Sequence, residues 1–182
     1  MSAISQLNPR VEESGEVRIV IDTPRGSRNK YAFDEKIGLF QLRHVLPAGA
    51  VFPFDFGFIP GTSAEDGDPV DSLLLMDEPT FAGCVVAARL IGAIAAEQTQ
   101  DGKKIRNDRL IAVATEARTH QDVTSIDQLS KTLLDEVEHF FVSYNEMRGR
   151  KFSPIGRFGP DHAEQLLEAG IRSRSHRKAH HK

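Results

Sequence analysis

The sequence predicts an α+β fold, a small β-barrel with helices packed on it, in a single domain spanning residues 1–182. Two observations carry this. Over the first two-thirds of the chain, short apolar or alternating runs are punctuated by Gly and Pro turns, as in a barrel or sandwich. In the last third the apolar spacing changes to the three-four rhythm of amphipathic helices. With 182 residues, 40% hydrophobic and 27% charged, the chain can bury a core and has the balance of a soluble globular protein.

The strand runs are Val17–Ile21, Leu39–Leu42, Asp55–Ile59, Ser72–Met76, Val85–Ala96 and Leu110–Ala114. Gly15, Pro24-Arg25-Gly26, Gly38, Gly61, Gly67, Pro69, Pro79 and Gly83 separate them. Ile126, Leu129, Leu133, Val137, Phe140, Phe141 and Tyr144 then form one apolar helical stripe. Ser125 and Gln128 make a capping box at its start, and Gly149 is a natural stop. A second helix begins at Pro160, a favoured first-turn residue, and runs through Leu166 and Leu167 toward Gly170.

Composition excludes some classes. No apolar run approaches the roughly 20 residues of a membrane helix, and Met1–Arg10 lacks a signal-peptide core. The single cysteine, Cys84, excludes an internal disulfide and fits a reducing, cytoplasmic setting. A net charge of −3 names no partner. Only Arg172–Lys182 is unbalanced, with five Lys/Arg, three of the seven histidines and no acid; it reads as a basic, mobile, solvated tail.

The most informative stretch is Asp66-Gly67-Asp68-Pro69-Val70-Asp71. Three carboxylates within six residues repel one another unless a cation or solvent compensates. Gly67 and Pro69 bend and stiffen the backbone so that the oxygens can converge. Oxygen donors without soft ligands suit Mg²⁺ or Mn²⁺ rather than zinc. A calcium loop of the EF-hand type fails, because Val70, Asp71 and Asp77 stand where a third oxygen ligand, a glycine and a glutamate belong. A solvated acidic turn is the plain alternative, since Asp, Gly and Pro are common turn residues. The flanking Phe52, Phe54, Phe56 and Phe58, with Val70–Met76, favour the rim of a core cavity instead.

Pro24-Arg25-Gly26-Ser27-Arg28-Asn29-Lys30 sets three cations on a turn between strands, suited to phosphate oxygens, or to nothing more than a basic hairpin. Arg43 ends an apolar strand and needs a partner or water. Tyr144 sits at the polar end of the helix stripe, its hydroxyl facing a site or merely wet. No Walker or G-x-G-x-x-G pattern supports a nucleotide loop.

Together these residues resemble the soluble inorganic pyrophosphatases of family I, over roughly Val17 to Ala169. The resemblance rests on TPRGSRNKY at Thr23–Tyr31, GFIPGTSAEDGDPVDSLLL at Gly57–Leu75, DEPTFAGCVV at Asp77–Val86, and EVEHFF at Glu136–Phe141 with Tyr144. It implies an OB-like closed five-stranded barrel with flanking C-terminal helices. It also implies Mg²⁺-dependent hydrolysis of pyrophosphate to two phosphates and a homo-oligomer, often a hexamer in bacteria; Mn²⁺ is the alternative ion that the donor set itself admits. Asp66, Asp68 and Asp71 would be metal ligands and Asp68 the catalytic base; Lys30, Arg43 and Tyr144 would hold phosphate oxygens.

Several positions depart from the family pattern. Asp22 stands for a glutamate near the metals, Ala32 for a glutamate, and Phe52 and Phe56 for tyrosines. Gln98 and Asn107 stand where metal-binding aspartates are expected, with Asp101 and Asp108 as substitutes in a shifted register. Arg109 and Asn145 replace lysines. The expected function is therefore a pyrophosphatase that is slow or altered in metal need. A relative acting on another phosphate compound, or a degenerate phosphate-binding paralogue, is the alternative; a nucleic-acid-binding module ranks last.

Overall fold

The computed structural model describes residues 3–100 and 102–180. In chain order its strands are β1 (Val17–Thr23), β2 (Asn29–Asp34), β3 (Leu39–Val45), β4 (Asp55–Phe58), β5 (Asp71–Leu75), β6 (Val85–Gln100), β7 (Lys103–Arg106), β8 (Arg109–Ala114) and β9 (Lys151–Phe158). Its helices are α1 (Ala3–Gln6), α2 (Lys131–Glu146) and α3 (Pro160–His180). Five strands close the expected ring in the order β1-β4-β5-β8-β6, with β6 returning to pair with β1. The β5–β8 pair is parallel and the other ring pairs are antiparallel. Closure removes the exposed edges that an open sheet would carry.

β6 holds the assembly together. Its first part pairs with β1 and β8, and its later part with β9 and β7. It leaves β1 after Ala88 and takes up β9 from Ala93, while its pairing with β8 continues to Ile94 across a bulge between Leu90 and Gly92. A Cβ at Gly92 would lie 2.5 Å from the Phe158 carbonyl oxygen and 2.7 Å from Ile126 Cβ, so only glycine lets these segments close over the strand. The barrel core contains Ile19, Ile21, Leu73, Leu75, Ile91, Ile94, Leu110 and Val113, all buried. α3 packs on β6 and α2 on β9.

The first expected helix is divided. The Ser125–Gln128 capping box forms, but it caps a single 3₁₀ turn over Ile126–Gln128. Leu129 is then extended (φ −80°, ψ 150°), and Ser130 starts α2 by accepting the Leu133 N–H at 3.1 Å. Ile126 is thereby free to pack into the barrel rather than along the helix. Gly149, at φ 69°, follows the end of α2 as expected. α3 begins at Pro160 and continues past Gly170 to His180, so the segment expected as a mobile tail is helical as far as it is described. Among the described residues no helix is long and apolar enough to cross a membrane.

Two acids outside the DGDPVD motif anchor loops. Asp55 accepts N–H bonds from Arg25 (2.7 Å) and Thr80 (2.9 Å), fixing the basic turn against β4. Asp77 accepts the Arg118 N–H at 2.7 Å and both the N–H and hydroxyl of Thr119, which hold its carboxyl down at about 2.

Candidate active site

A cavity of about 890 Å³ opens where the β2–β3 hairpin, the loop after β4, the β6–β8 wall and the C-terminal end of α2 meet. Asp66, Asp68 and Asp71 line it, as do Lys30, Arg43 and Tyr144. The structure therefore brings all six sequence-predicted residues to one space. Their states differ.

The DGDPVD loop turns at Gly67, whose φ of 95° favours a residue without a Cβ. The Asp66 carboxylate accepts the Asp68 N–H at 3.0 Å, which leaves the exposed Asp68 carboxylate facing the opening. Partial desolvation raises the Asp66 pKa, and the Asp68 charge adds to it. Asp71 lies deeper, at the start of β5. Burial pushes its carboxyl up to about 6; Arg109 and Lys30 oppose that rise, while Asp22 and Asp66 reinforce it.

Lys30 is buried and donates to Asp22 at 2.6 Å, with its ammonium 4.5 Å from the Phe56 ring centroid. Desolvation raises the Asp22 pKa, and the Lys30 charge works against it. Arg43 is half exposed, 3.9 Å from Asp34. The β2–β3 register jumps from Lys30↔His44 to Tyr31↔Leu42, making Arg43 the bulged residue. A bulge breaks the side-to-side alternation, and Arg43 and His44 consequently both reach the cavity. The Tyr144 hydroxyl is 2.9 Å from His44 Nε2 and accepts from Arg148 at 3.4 Å. Burial raises the Tyr144 pKa, keeping it a donor; burial and the Arg148, Lys30 and Arg150 charges lower that of His44.

The substituted positions form the remaining walls. Phe52 and Phe56 join the buried Phe141, Phe152 and Tyr144 and the half-buried Phe140 in one aromatic cluster. Asn145 donates back to the Phe141 carbonyl at 2.8 Å. Gln98 and Asn107 both face the cavity, in the unshifted register, and are buried. Asp108 does not substitute for them: its carboxylate accepts the Ala96 N–H at 2.9 Å and pairs with Arg106 at 2.8 Å. Asp101 lies outside the described residues.

Sequence reasoning missed His44, Arg148, Arg150 and Arg174, all of which line the cavity. Arg174 reaches Glu35 at 3.1 Å from the segment expected as a free tail. The available signal was the RGR run at Arg148–Arg150 directly after the α2 stripe.

The donor set allows a limited metal site. Carboxylate oxygens at Asp66, Asp68 and Asp71 suit one hard divalent cation, and the raised Asp71 carboxyl is a group that added positive charge would stabilise. Gln98 and Asn107 supply only neutral amides. Among the described residues the three carboxylates share the cavity without being drawn together into a preformed ion cage, so an ion would have to gather them.

A sequence model of the family described as inorganic pyrophosphatase matches residues 19–175. An inorganic pyrophosphatase of Synechocystis is 36% identical over 165 residues, covering 91% of this chain and 95% of its own. One from Halalkalibacterium halodurans is 39% identical over 145 residues, covering 80% and 83%. The crystal structure of inorganic pyrophosphatase from Thermus thermophilus superposes with a TM-score of 0.86 at 31% identity, covering 94% of this chain and 98% of that one.

Proposed function

This chain belongs to the inorganic pyrophosphatase family, and on that premise we propose that its cavity hydrolyses pyrophosphate to two phosphates with Mg²⁺ or Mn²⁺ bound at Asp66, Asp68 and Asp71. The observation that carries the reading is the sharing of one cavity by these three carboxylates with Lys30, Arg43 and Tyr144.

Lys30, Arg43 and the Tyr144 hydroxyl hold phosphate oxygens by charge-assisted hydrogen bonds. Their preset positions neutralise charge as it moves toward the leaving group. Asp68 takes the proton of a water aligned behind one phosphorus. The water oxygen bonds to that phosphorus as the bridging P–O bond breaks, and the bridging oxygen leaves with the second phosphate. A divalent cation, when bound, supplies charge neutralisation and makes water easier to deprotonate. Arg148 and Arg150 at the mouth draw the anion inward. A homo-oligomer in the cytoplasm is part of this reading; the exposed Leu39, Leu42 and Val45 on β3 and the free Cys84 support it.

A second reading, a bulkier phosphate compound as substrate, is favoured by the apolar wall of Ala32, Phe33 and Phe58, which a bare diphosphate does not use. Offering purified protein equal concentrations of pyrophosphate, nucleoside diphosphates and phosphate monoesters with Mg²⁺ separates the two. Preference for pyrophosphate by about tenfold or more in kcat/KM is expected. Preference for an organic phosphate would replace the first reading with the second.

A further inference from the structure

The wall built by Gln98, Asn107 and Arg109 carries its own cation. Asn107 donates to the Gln98 side-chain oxygen at 2.7 Å, and its own oxygen accepts from Arg109 Nη1. The same Nη1 lies 2.7 Å from Asp71 Oδ2. The amide oxygens that could ligate an ion here are thus engaged by a guanidinium or by each other. Arg109 is also caged: its guanidinium sits 5.7, 5.3 and 5.6 Å from the ring centroids of Phe56, Phe141 and Phe152. Its side chain is 7% exposed, and among the described residues its buried Nε has no hydrogen-bond partner. Swinging the guanidinium aside for an incoming ion would open the aromatic core.

We infer that Arg109 is the fixed cation of this wall, and that the site takes a single divalent cation, on the Asp66–Asp68–Asp71 side, leaving side chains to meet the remaining charge of the diphosphate. The inference rests on the pyrophosphate reading and names its metal requirement. Charge around the cavity agrees with it. Among the described residues, six acids and seven bases line the space, so with His44 neutral they already bring about one positive charge. One divalent ion raises that to about three, close to the three to four negative charges of pyrophosphate near neutral pH, and each further ion overshoots. Asp71 can serve both roles, because its ion pair with Arg109 runs through Oδ2, one of its two carboxylate oxygens.

The test counts Mn²⁺ bound by the full chain without substrate, from the electron paramagnetic resonance of the free ion. Wild type is expected to bind about one ion per chain, and the Gln98→Asp, Asn107→Asp double variant about one more, because it restores anionic oxygens beside the guanidinium. Two or more ions on wild type, none at all, or a folded double variant that gains none, would overturn the inference. If the double variant does not fold, the wild-type count decides alone. Pyrophosphate turnover measured in parallel keeps the two claims apart. One ion without turnover removes the functional reading and leaves Arg109 as the resident cation; turnover with two ions does the reverse.

Discussion

Replacing Asp68 with Asn is expected to slow phosphate release from pyrophosphate by at least about a hundredfold, the lower range for loss of a general base. Asn keeps the shape and one acceptor oxygen but cannot take a proton at neutral pH. The melting temperature should hardly move. Asp68 is exposed, and its local bonds run through the backbone: its N–H donates to Asp66 at 3.0 Å and its carbonyl accepts from Ala64 at 2.7 Å. Exposed substitutions of this kind usually change stability by less than about 0.5 kcal/mol. A folded variant that turns over at the wild-type rate would remove Asp68 from the chemistry.

Replacing Lys30 with Met should act on both stability and activity. The Lys30–Asp22 pair is deep, with side-chain exposures of 11% and 8%, and breaking such a pair from one side typically costs about 3–5 kcal/mol. The cost depends on pH. Burial already raises the Asp22 pKa against the opposing Lys30 charge, so without that charge it rises further. A carboxyl whose folded pKa exceeds its unfolded value binds its proton more readily when folded. The stability this contributes is present at low pH and is lost as pH rises through the folded value. The gap between wild type and variant, measured by urea denaturation at acid and at alkaline pH, should therefore widen as pH increases. A gap that stayed flat would mean that the charge on Asp22 does not depend on Lys30. Phosphate release should fall as well, since Lys30 also faces the substrate space.

Much of the barrel was legible because closed rings reward local pattern. Val17–Ile21, Asp55–Ile59, Ser72–Met76 and Leu110–Ala114 are apolar runs between turn residues, and each became a ring strand with shifted ends. β9 was not legible: Pro154 and Gly156 interrupt it, and it survives through a register shift against Ala95 and Ala96 of β6. β2 was read as part of a basic turn because its residues are mostly polar and Lys30 alone among them is buried. The helix boundary failed at Leu129, which keeps the helical spacing but adopts an extended conformation between two serine caps.

The site divides in the same way. The DGDPVD loop was visible because its six residues carry their chemistry locally. The partnerships that set their charges were hidden, because Asp22–Lys30 and Asp71–Arg109 join separate strands. His44 shares the cavity with its neighbour Arg43 only through a bulge that the strand period does not announce. Arg174 arrives from α3, and nothing local marks a charge in a basic run as part of a site.

The account stands most directly on phosphate release from pyrophosphate by the pure, folded chain, followed with Mg²⁺ and again with Mn²⁺ beside protein-free controls. It predicts two phosphates per pyrophosphate consumed, at a rate far above the control with at least one of the ions. Protein that is folded, binds metal and yet matches the control with both ions would contradict it.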